Sequence, residues 1–280
     1  MSDGNIMKKT YPGIKNAVFL CLLLLGLQLV VGLIPRIIIN IFEIYTESIL
    51  LEIGKIFINL LPSAFVIYIG YKKSHKKFNE VFVFNDVSSN LWIATTVFMC
   101  GFVIICSEIN NVLEHVLPMP RNIYEIFETV LGNKYIIISV VSVGIIPAFI
   151  EEMLFRGVIL NGFKENYSRK KAIIASSLLF GIVHLNPWQF VTAFILGMIS
   201  AWVCLKMKSL TLSIYMHLFN NIAAVFVMKS RDIVHIKGFN SGYLDKSFQP
   251  IWFDTLGIVL ASIGIIFFLG EIEDATSTPL

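Results

Sequence analysis

Three apolar stretches of the sequence contain polar side chains of the types that hydrolyse carbonyl compounds. These residues are Glu151, Glu152, Arg156, His184, His217 and Asn221. A carboxylate or an imidazole can activate water by accepting its proton. Imidazole and amide N–H groups can stabilise the oxyanion that forms when a carbonyl carbon is attacked. The residue types therefore favour acid–base hydrolysis of an amide or ester.

The first stretch contains two adjacent carboxylates for which the spacing predicts different roles. Glu152 and Arg156 stand at i and i+4, with the Glu N-terminal to the Arg, which is the favoured order for an ion pair on a helix. Glu151 points about 100° away around the same helix and has no local partner. We therefore predict that Glu152 and Arg156 support the site and that Glu151 is the general base.

The other two stretches supply further groups for the same chemistry. His184 can share the attacking water or orient it. His217 and Asn221 also stand at i and i+4, so both side chains lie on one face of a helix. Two such donors are suited to an oxyanion hole.

The chain that positions these residues is far more apolar than a soluble protein. Of its 280 residues, 56% are hydrophobic and only 15% are charged, and the mean hydropathy is +0.77. Soluble domains are roughly half apolar and about a quarter charged. The apolar residues form blocks of about 17–25 residues, the length of a membrane-spanning helix. We predict an all-α polytopic membrane protein with about eight spans, at 16–35, 49–71, 91–110, 135–163, 170–186, 189–206, 208–228 and 251–270.

The depth of the polar residues in these spans indicates a single site. At about 1.5 Å per residue, Glu151 lies roughly 18 Å from the helix end at Phe163, and His184 lies roughly 20 Å from Lys171. By the same measure, His217 and Asn221 lie roughly 14 and 20 Å from Lys208. Charged residues inside spans usually face a bundle interior and are functional by default. A common layer on three helices favours one site over scattered packing contacts.

The three motifs resemble those of a known family. E-E-x-x-x-R begins at Glu151, F-x-x-x-H ends at His184, and H-x-x-x-N begins at His217. In this order they resemble the CPBP (CAAX protease and bacteriocin-processing) family, which includes the type II CAAX prenyl endopeptidases. The resemblance covers about residues 135–228 and implies an eight-helix bundle with a cavity. It also implies that Glu151 and His184 activate water, that His217 and Asn221 form the oxyanion hole, and that Glu152 and Arg156 support them.

The resemblance and the charge pattern together give a domain and membrane prediction. Residues 1–134 form a three-span region without motifs, 135–228 form the protease core, and 229–280 form a loop, a last span and an acidic tail. Lys and Arg are more numerous in the loops on the side of the N-terminus, which places that side in the cytoplasm. Both termini are therefore predicted to be cytoplasmic, in a bacterial plasma membrane.

The residues leave the role of a metal open. Glu151, His184 and His217 offer the two imidazoles and one carboxylate of a catalytic zinc site. However, the sequence has no H-E-x-x-H motif, and the same residues with Asn221 also suit a glutamate-dependent hydrolase without metal. We predict that no cofactor is required and keep zinc as the alternative.

The resemblance implies a membrane-associated peptide or protein as substrate, possibly prenylated, and no nucleic acid as partner. The main alternative is a non-catalytic bacteriocin-immunity or scaffold protein of the same fold, embedded in the lipid bilayer. A proton-coupled transporter is a further alternative that would use the same buried charges as a relay. Transporters of that kind often consist of repeated halves, and this sequence shows no internal repeat.

Overall fold

The computed structural model describes residues 10–41, 49–133 and 135–277, and every regular element in these ranges is helical. A short 3₁₀ turn, Ser230–Asp232, follows the ninth of the helices. The helices are α1 (Ile14–Ile41), α2 (Ile49–Ser74), α3 (Phe78–Val81), α4 (Ser89–Val116), α5 (Arg121–Leu131), α6 (Ile136–Asn166), α7 (Arg169–Ile182), α8 (Pro187–Met207), α9 (Thr211–Lys229) and α10 (Ile251–Ser277).

Six helices of the described residues are long and apolar enough to cross a membrane, namely α1, α4, α6, α8, α9 and α10. This finding confirms the all-α polytopic membrane fold, but it does not confirm the predicted count of eight. The predicted spans 49–71 and 170–186 are not among the six. The first lies in α2, a helix of 26 residues that begins beside the undescribed segment 42–48.

The predicted span at 170–186 corresponds to a helix that is shorter than a full span. Helix α7 has only 14 residues, so it rises about 21 Å, less than the roughly 30 Å of a hydrocarbon core. The helix ends at Ile182, and Leu185 then adopts a positive φ of 56°. The side chain of Asn186 caps the next helix by accepting a hydrogen bond from the backbone N–H of Gln189 at 2.8 Å. His184 therefore lies in a turn between two helices.

The segment between the predicted spans 91–110 and 135–163 is also mostly helical. Helix α4 continues to Val116, and α5 occupies Arg121–Leu131. Its apolar residues Ile123, Phe127 and Val130 recur at spacings of three or four, which is the period of an amphipathic helix. None of its residues is buried, which explains why its composition looked like that of a loop.

The buried side chains form two clusters that share the central helices. The first joins α1, α2, α6 and α7 to one side of α8 and α9, with Leu20, Phe155 and Phe180 among its members. The second joins α4, α8, α9 and α10, with Met99 and Phe268 among its members. Helix α6 lies in the first cluster, and α9 brings its own polar residues against α6.

Helix α6, which contains Glu151 and Glu152, is not a uniform α-helix. Its segments Val140–Ile145 and Met153–Leu160 are π-helical, and the α-helical segment Ile146–Glu152 lies between them. π-Helical turns are rare and frequently occur at functional sites. The two carboxylates therefore lie on a short α-helical segment between two wider turns.

The C-terminal end of α6 lies at the same level as the beginning of α1. The side-chain amide of Asn166 donates to the carbonyl of Thr10 at 2.5 Å, and its Oδ1 accepts from the Thr10 N–H at 3.0 Å. The hydroxyl of Tyr167 accepts from the N–H of Ile14 at 3.2 Å. These contacts fix the relative height of the two helices.

Small residues allow α4 and α10 to approach closely. A Cβ atom added at Gly264 would lie 2.3 Å from the backbone nitrogen of Phe98, and one added at Gly101 would lie 2.3 Å from the backbone nitrogen of Ala261. Glycine at such positions is typical of helix pairs in membranes, where association depends on close packing. The contact fixes α10 against the rest of the bundle.

We expect Gly264→Ala to destabilise the protein by about 1–3 kcal/mol, because the new methyl group meets main-chain atoms that cannot move aside. The matched control is Gly270→Ala in the same helix, where a Cβ atom would meet nothing within 4 Å. That variant should stay within about 0.5 kcal/mol of the wild type. Unfolding of the detergent-solubilised proteins measures both, and equal stabilities would contradict the close-packing assignment.

Candidate active site

The centre of the polar cluster is the carboxylate of Glu152, which is fully buried. Its Oε1 lies 3.0 Å from Nη1 of Arg156 and 3.1 Å from Nδ1 of His217. Arg156 also donates from Nη2 to the carbonyl oxygen of Gly197 at 3.2 Å. The ion pair that the i, i+4 spacing predicts is therefore present, and it extends to His217 on another helix. Pairing of this kind is needed because an unpaired buried charge is strongly destabilising.

The ring of Phe180 on α7 joins the other side of this cluster. The guanidinium carbon of Arg156 lies 4.5 Å from the ring centroid, within the range of a cation–π contact. The rings of His184 and His217 meet Phe180 edge-to-face, at centroid distances of 5.1 and 5.4 Å. One aromatic side chain thus positions residues from all three motifs.

Glu151 occupies a different environment from that of its neighbour. Its Oε2 lies 3.9 Å from Nε2 of His217, which is too long for a direct hydrogen bond. Among the described residues, this oxygen has no hydrogen-bond partner. The Glu151 side chain is 30% exposed and lines a cavity. A carboxylate in this position can accept a proton from a molecule in the cavity.

The hydrogen bonds of the two imidazoles determine which nitrogen is free. The Nδ1 of His217 faces a carboxylate, which can only accept, so Nδ1 carries the hydrogen and Nε2 faces Glu151. The Nδ1 of His184 lies 2.8 Å from the carbonyl oxygen of Phe180 and carries its hydrogen for the same reason. In the neutral rings, each Nε2 is therefore an acceptor.

The cavity beside Glu151 has a volume of about 480 Å³, which is within the usual range for a small-ligand site. His184 also lines it, whereas His217 and Asn221 are not among the described lining residues. Helix α6 supplies much of the wall, and α1, α2 and α5 supply most of the rest. The cavity therefore gives a ligand direct access to Glu151 and His184.

Asn221 lies against the first π-helical segment of α6. Its Nδ2 donates to the carbonyl oxygen of Val143 at 2.9 Å, and its Oδ1 accepts from Asn220 at 3.3 Å. Val143 itself lines the cavity. A side-chain amide has two N–H groups, so one is not used by the bond to Val143.

The fold thus brings the six predicted site residues together to different extents. Glu151, Glu152, Arg156 and His217 form one contiguous cluster, and His184 is connected to it through Phe180. Within the described ranges, no hydrogen bond joins His184 to Glu151 or Asn221 to His217. Spacing along the chain does not predict the bond of His217 to Glu152 or the shared contacts of Phe180. The position of Phe180, four residues before His184, was the available signal for the second contact.

The arrangement does not match a zinc site. In the part of the chain that the structure describes, no three His, Cys, Asp or Glu side chains are grouped so that they could hold a metal ion. The alternative zinc set of Glu151, His184 and His217 is therefore not assembled in this arrangement. No step proposed below passes through a metal.

Comparison with known proteins gives one match. Residues 133–223 match the family model described as "Type II CAAX prenyl endopeptidase Rce1-like". The matched segment is about a third of the chain and contains all six predicted site residues. It confirms the CPBP resemblance for this segment. Neither the curated proteins nor the solved structures gave a match.

We expect Arg156→Met to destabilise the protein by about 3–5 kcal/mol, because it leaves the buried carboxylate of Glu152 without its ion-pair partner. The double variant Glu152→Gln/Arg156→Met removes both charges and should be more stable than Arg156→Met alone. Equilibrium unfolding in detergent measures this difference. Equal stabilities of the single and double variants would show that the charge of Glu152 is not the source of the cost.

Proposed function

We propose that this protein is an intramembrane endopeptidase in which Glu151 activates the water that cleaves a peptide bond. The observation that carries the proposal is the position of the Glu151 carboxylate. It is open to the cavity, its Oε2 has no hydrogen-bond partner among the described residues, and it lies 3.9 Å from Nε2 of His217. The family match supports a membrane protease of the CAAX type.

The attacking water would bind the Glu151 carboxylate from the cavity side, where this side chain is 30% exposed. Such a water donates a proton to Glu151 while its oxygen attacks the carbonyl carbon of the substrate. His184 orients the water through Nε2, since its Nδ1 is held by the carbonyl of Phe180. The proton on Glu151 then passes to the leaving nitrogen, which gives a carboxylic acid and an amine as products.

His217 and Asn221 would stabilise the oxyanion of the tetrahedral intermediate. Asn221 has one N–H left after its bond to Val143. His217 can donate only through Nε2, because its Nδ1–H donates to Glu152. It therefore acts as an oxyanion donor only in the form in which Nε2 also carries a hydrogen.

The substrate of this reaction would be a membrane-associated peptide or protein, with prenylation as one way of holding it at the bilayer. The apolar spans support an integral membrane location. We propose that the membrane is a bacterial plasma membrane. The Lys and Arg bias of the loops supports cytoplasmic termini.

We expect Glu151→Gln to lower kcat at least about a hundredfold, because the amide cannot accept the proton from water. The substitution keeps the size of the side chain, so the unfolding temperature should not change. The measurement is cleavage of a quenched fluorescent panel of prenylated and unmodified peptides by purified protein in lipid nanodiscs.

Three results, from peptide cleavage and from a cellular assay of the same variant, would contradict parts of the proposal. Full activity in folded Glu151→Gln would remove Glu151 as the base, and full cellular function of that variant would favour the non-catalytic binding role. Activity should also persist in the presence of a zinc chelator. Its loss on chelation and return on addition of zinc would contradict the metal-free mechanism.

We expect Asn221→Ala to lower kcat by about 10²–10³-fold with little change in KM, as loss of an oxyanion donor does. The matched control is Asn220→Ala, because Asn220 is the adjacent amide and its side chain donates a hydrogen bond to Asn221. That variant should stay within about tenfold of the wild type. Steady-state kinetics on the best peptide of the panel measures both, and a larger loss in Asn220→Ala would reverse the assignment.

A further inference from the structure

The cavity wall opposite the catalytic residues comes from helices outside the matched segment 133–223. Helix α1 supplies Leu24 and Gln28, α2 supplies Ser63 among others, and α5 supplies Thr129. None of these residues belongs to a motif of the hydrolytic site. This wall is therefore where the chain can hold a ligand without taking part in the chemistry.

Gln28 is a polar residue on this cavity wall. It lies in the most apolar of the six candidate spans, yet it carries a primary amide. Leu24 and Gln28 stand four residues apart and both line the cavity, so one face of α1 is directed into it. No described residue hydrogen-bonds to the Gln28 amide. The exposed Gln28 side chain lines the cavity, so its amide is available to bind a molecule there.

Gln28 and Glu151 lie at nearly the same depth. Helices α1 and α6 share a level where the N–H of Ile14 meets the hydroxyl of Tyr167 at 3.2 Å. At 1.5 Å per residue, Gln28 lies roughly 21 Å from this level along α1, and Glu151 lies roughly 24 Å from it along α6. A ligand held by Gln28 is therefore level with the carboxylate of Glu151.

The chemistry of the amide identifies the group that it would take. A primary amide accepts one hydrogen bond through its oxygen and donates two through its nitrogen, which complements the N–H and C=O of a peptide unit. Inside a membrane, the exposed main chain of an extended peptide must find such partners. We infer that Gln28 binds a main-chain amide of the substrate next to the scissile bond, an inference that rests on the proposed endopeptidase function. Recognition of this kind holds the peptide in place whatever its side chains are.

The test compares Gln28→Met with the wild type in lipid nanodiscs, using a quenched fluorescent peptide with a prenylated cysteine and three following residues. Methionine keeps the length of the side chain but removes its hydrogen bonds. We expect KM to rise about tenfold and kcat to stay within about twofold, because the lost bonds are made equally in the ground and transition states. The matched control is Leu29→Met, at an adjacent position that is 67% exposed and outside the cavity lining. It should behave as the wild type.

A second measurement separates recognition from a structural role. Peptides in which one amide at a time is replaced by an ester lack a single N–H, and their binding is measured on Glu151→Gln protein with and without Gln28→Met. We expect an ester at one position of the peptide to weaken its binding to the protein that keeps Gln28. The same ester should not change binding to the protein that carries Gln28→Met. Equal losses at every position in both proteins would overturn the inference. A lowered unfolding temperature in Gln28→Met would also overturn it, because that result assigns Gln28 to packing.

The outcomes distinguish this inference from the proposed function. Cleavage that depends on Glu151, with KM and binding unchanged in Gln28→Met, overturns the role of Gln28 alone. Peptide binding that depends on Gln28, without cleavage by the wild type, overturns the endopeptidase proposal and supports the binding site. Absence of both binding and cleavage in the wild type overturns both.

Discussion

A fully buried carboxylate constrains the rest of the polar arrangement. Glu152 has no access to water, so its charge must be balanced by neighbouring groups, and a single oxygen contacts both Arg156 and His217. These contacts fix the rotation of α6 and the position of α9 at once. Glu151 immediately precedes Glu152 on the same helical turn, so the fixed rotation of α6 also directs Glu151 to the cavity. The acid that holds the helices and the acid that faces the ligand are adjacent in the chain but differ completely in environment.

Much of the fold could be predicted because membrane-spanning helices are specified by local composition. Six of the predicted spans correspond to apolar helices of sufficient length. The structure differs from the prediction in segments whose conformation depends on other parts of the molecule. Helix α7 ends early because of the turn at Leu185, and a run of apolar residues alone does not reveal that turn. Helix α5 has no buried residue, so its polar composition resembles that of a loop.

The site was predictable where its contacts are local and unpredictable where they cross between helices. The pairing of Glu152 with Arg156 follows from a four-residue spacing on one helix. The bond from His217 to Glu152 depends on how two helices are rotated against each other, which spacing within each helix does not fix. The π-helical segments of α6 add a further change of rotation that no sequence period indicates. They place the carbonyl of Val143 within reach of Asn221. The similar depths of the polar residues predicted a common layer but not which side chains contact each other within it.

The two-sided construction of the cavity has a consequence for how such a protein can diverge. One side carries the reactive groups of α6 and of the turn that follows α7, and the other side belongs to α1, α2 and α5. A substitution on the second side changes what fits without disturbing the charge network on which folding depends. Natural selection can therefore alter the choice of ligand in small steps while the chemistry is inherited intact. After a gene duplication, two copies could acquire different preferences through changes in the first half of the chain alone.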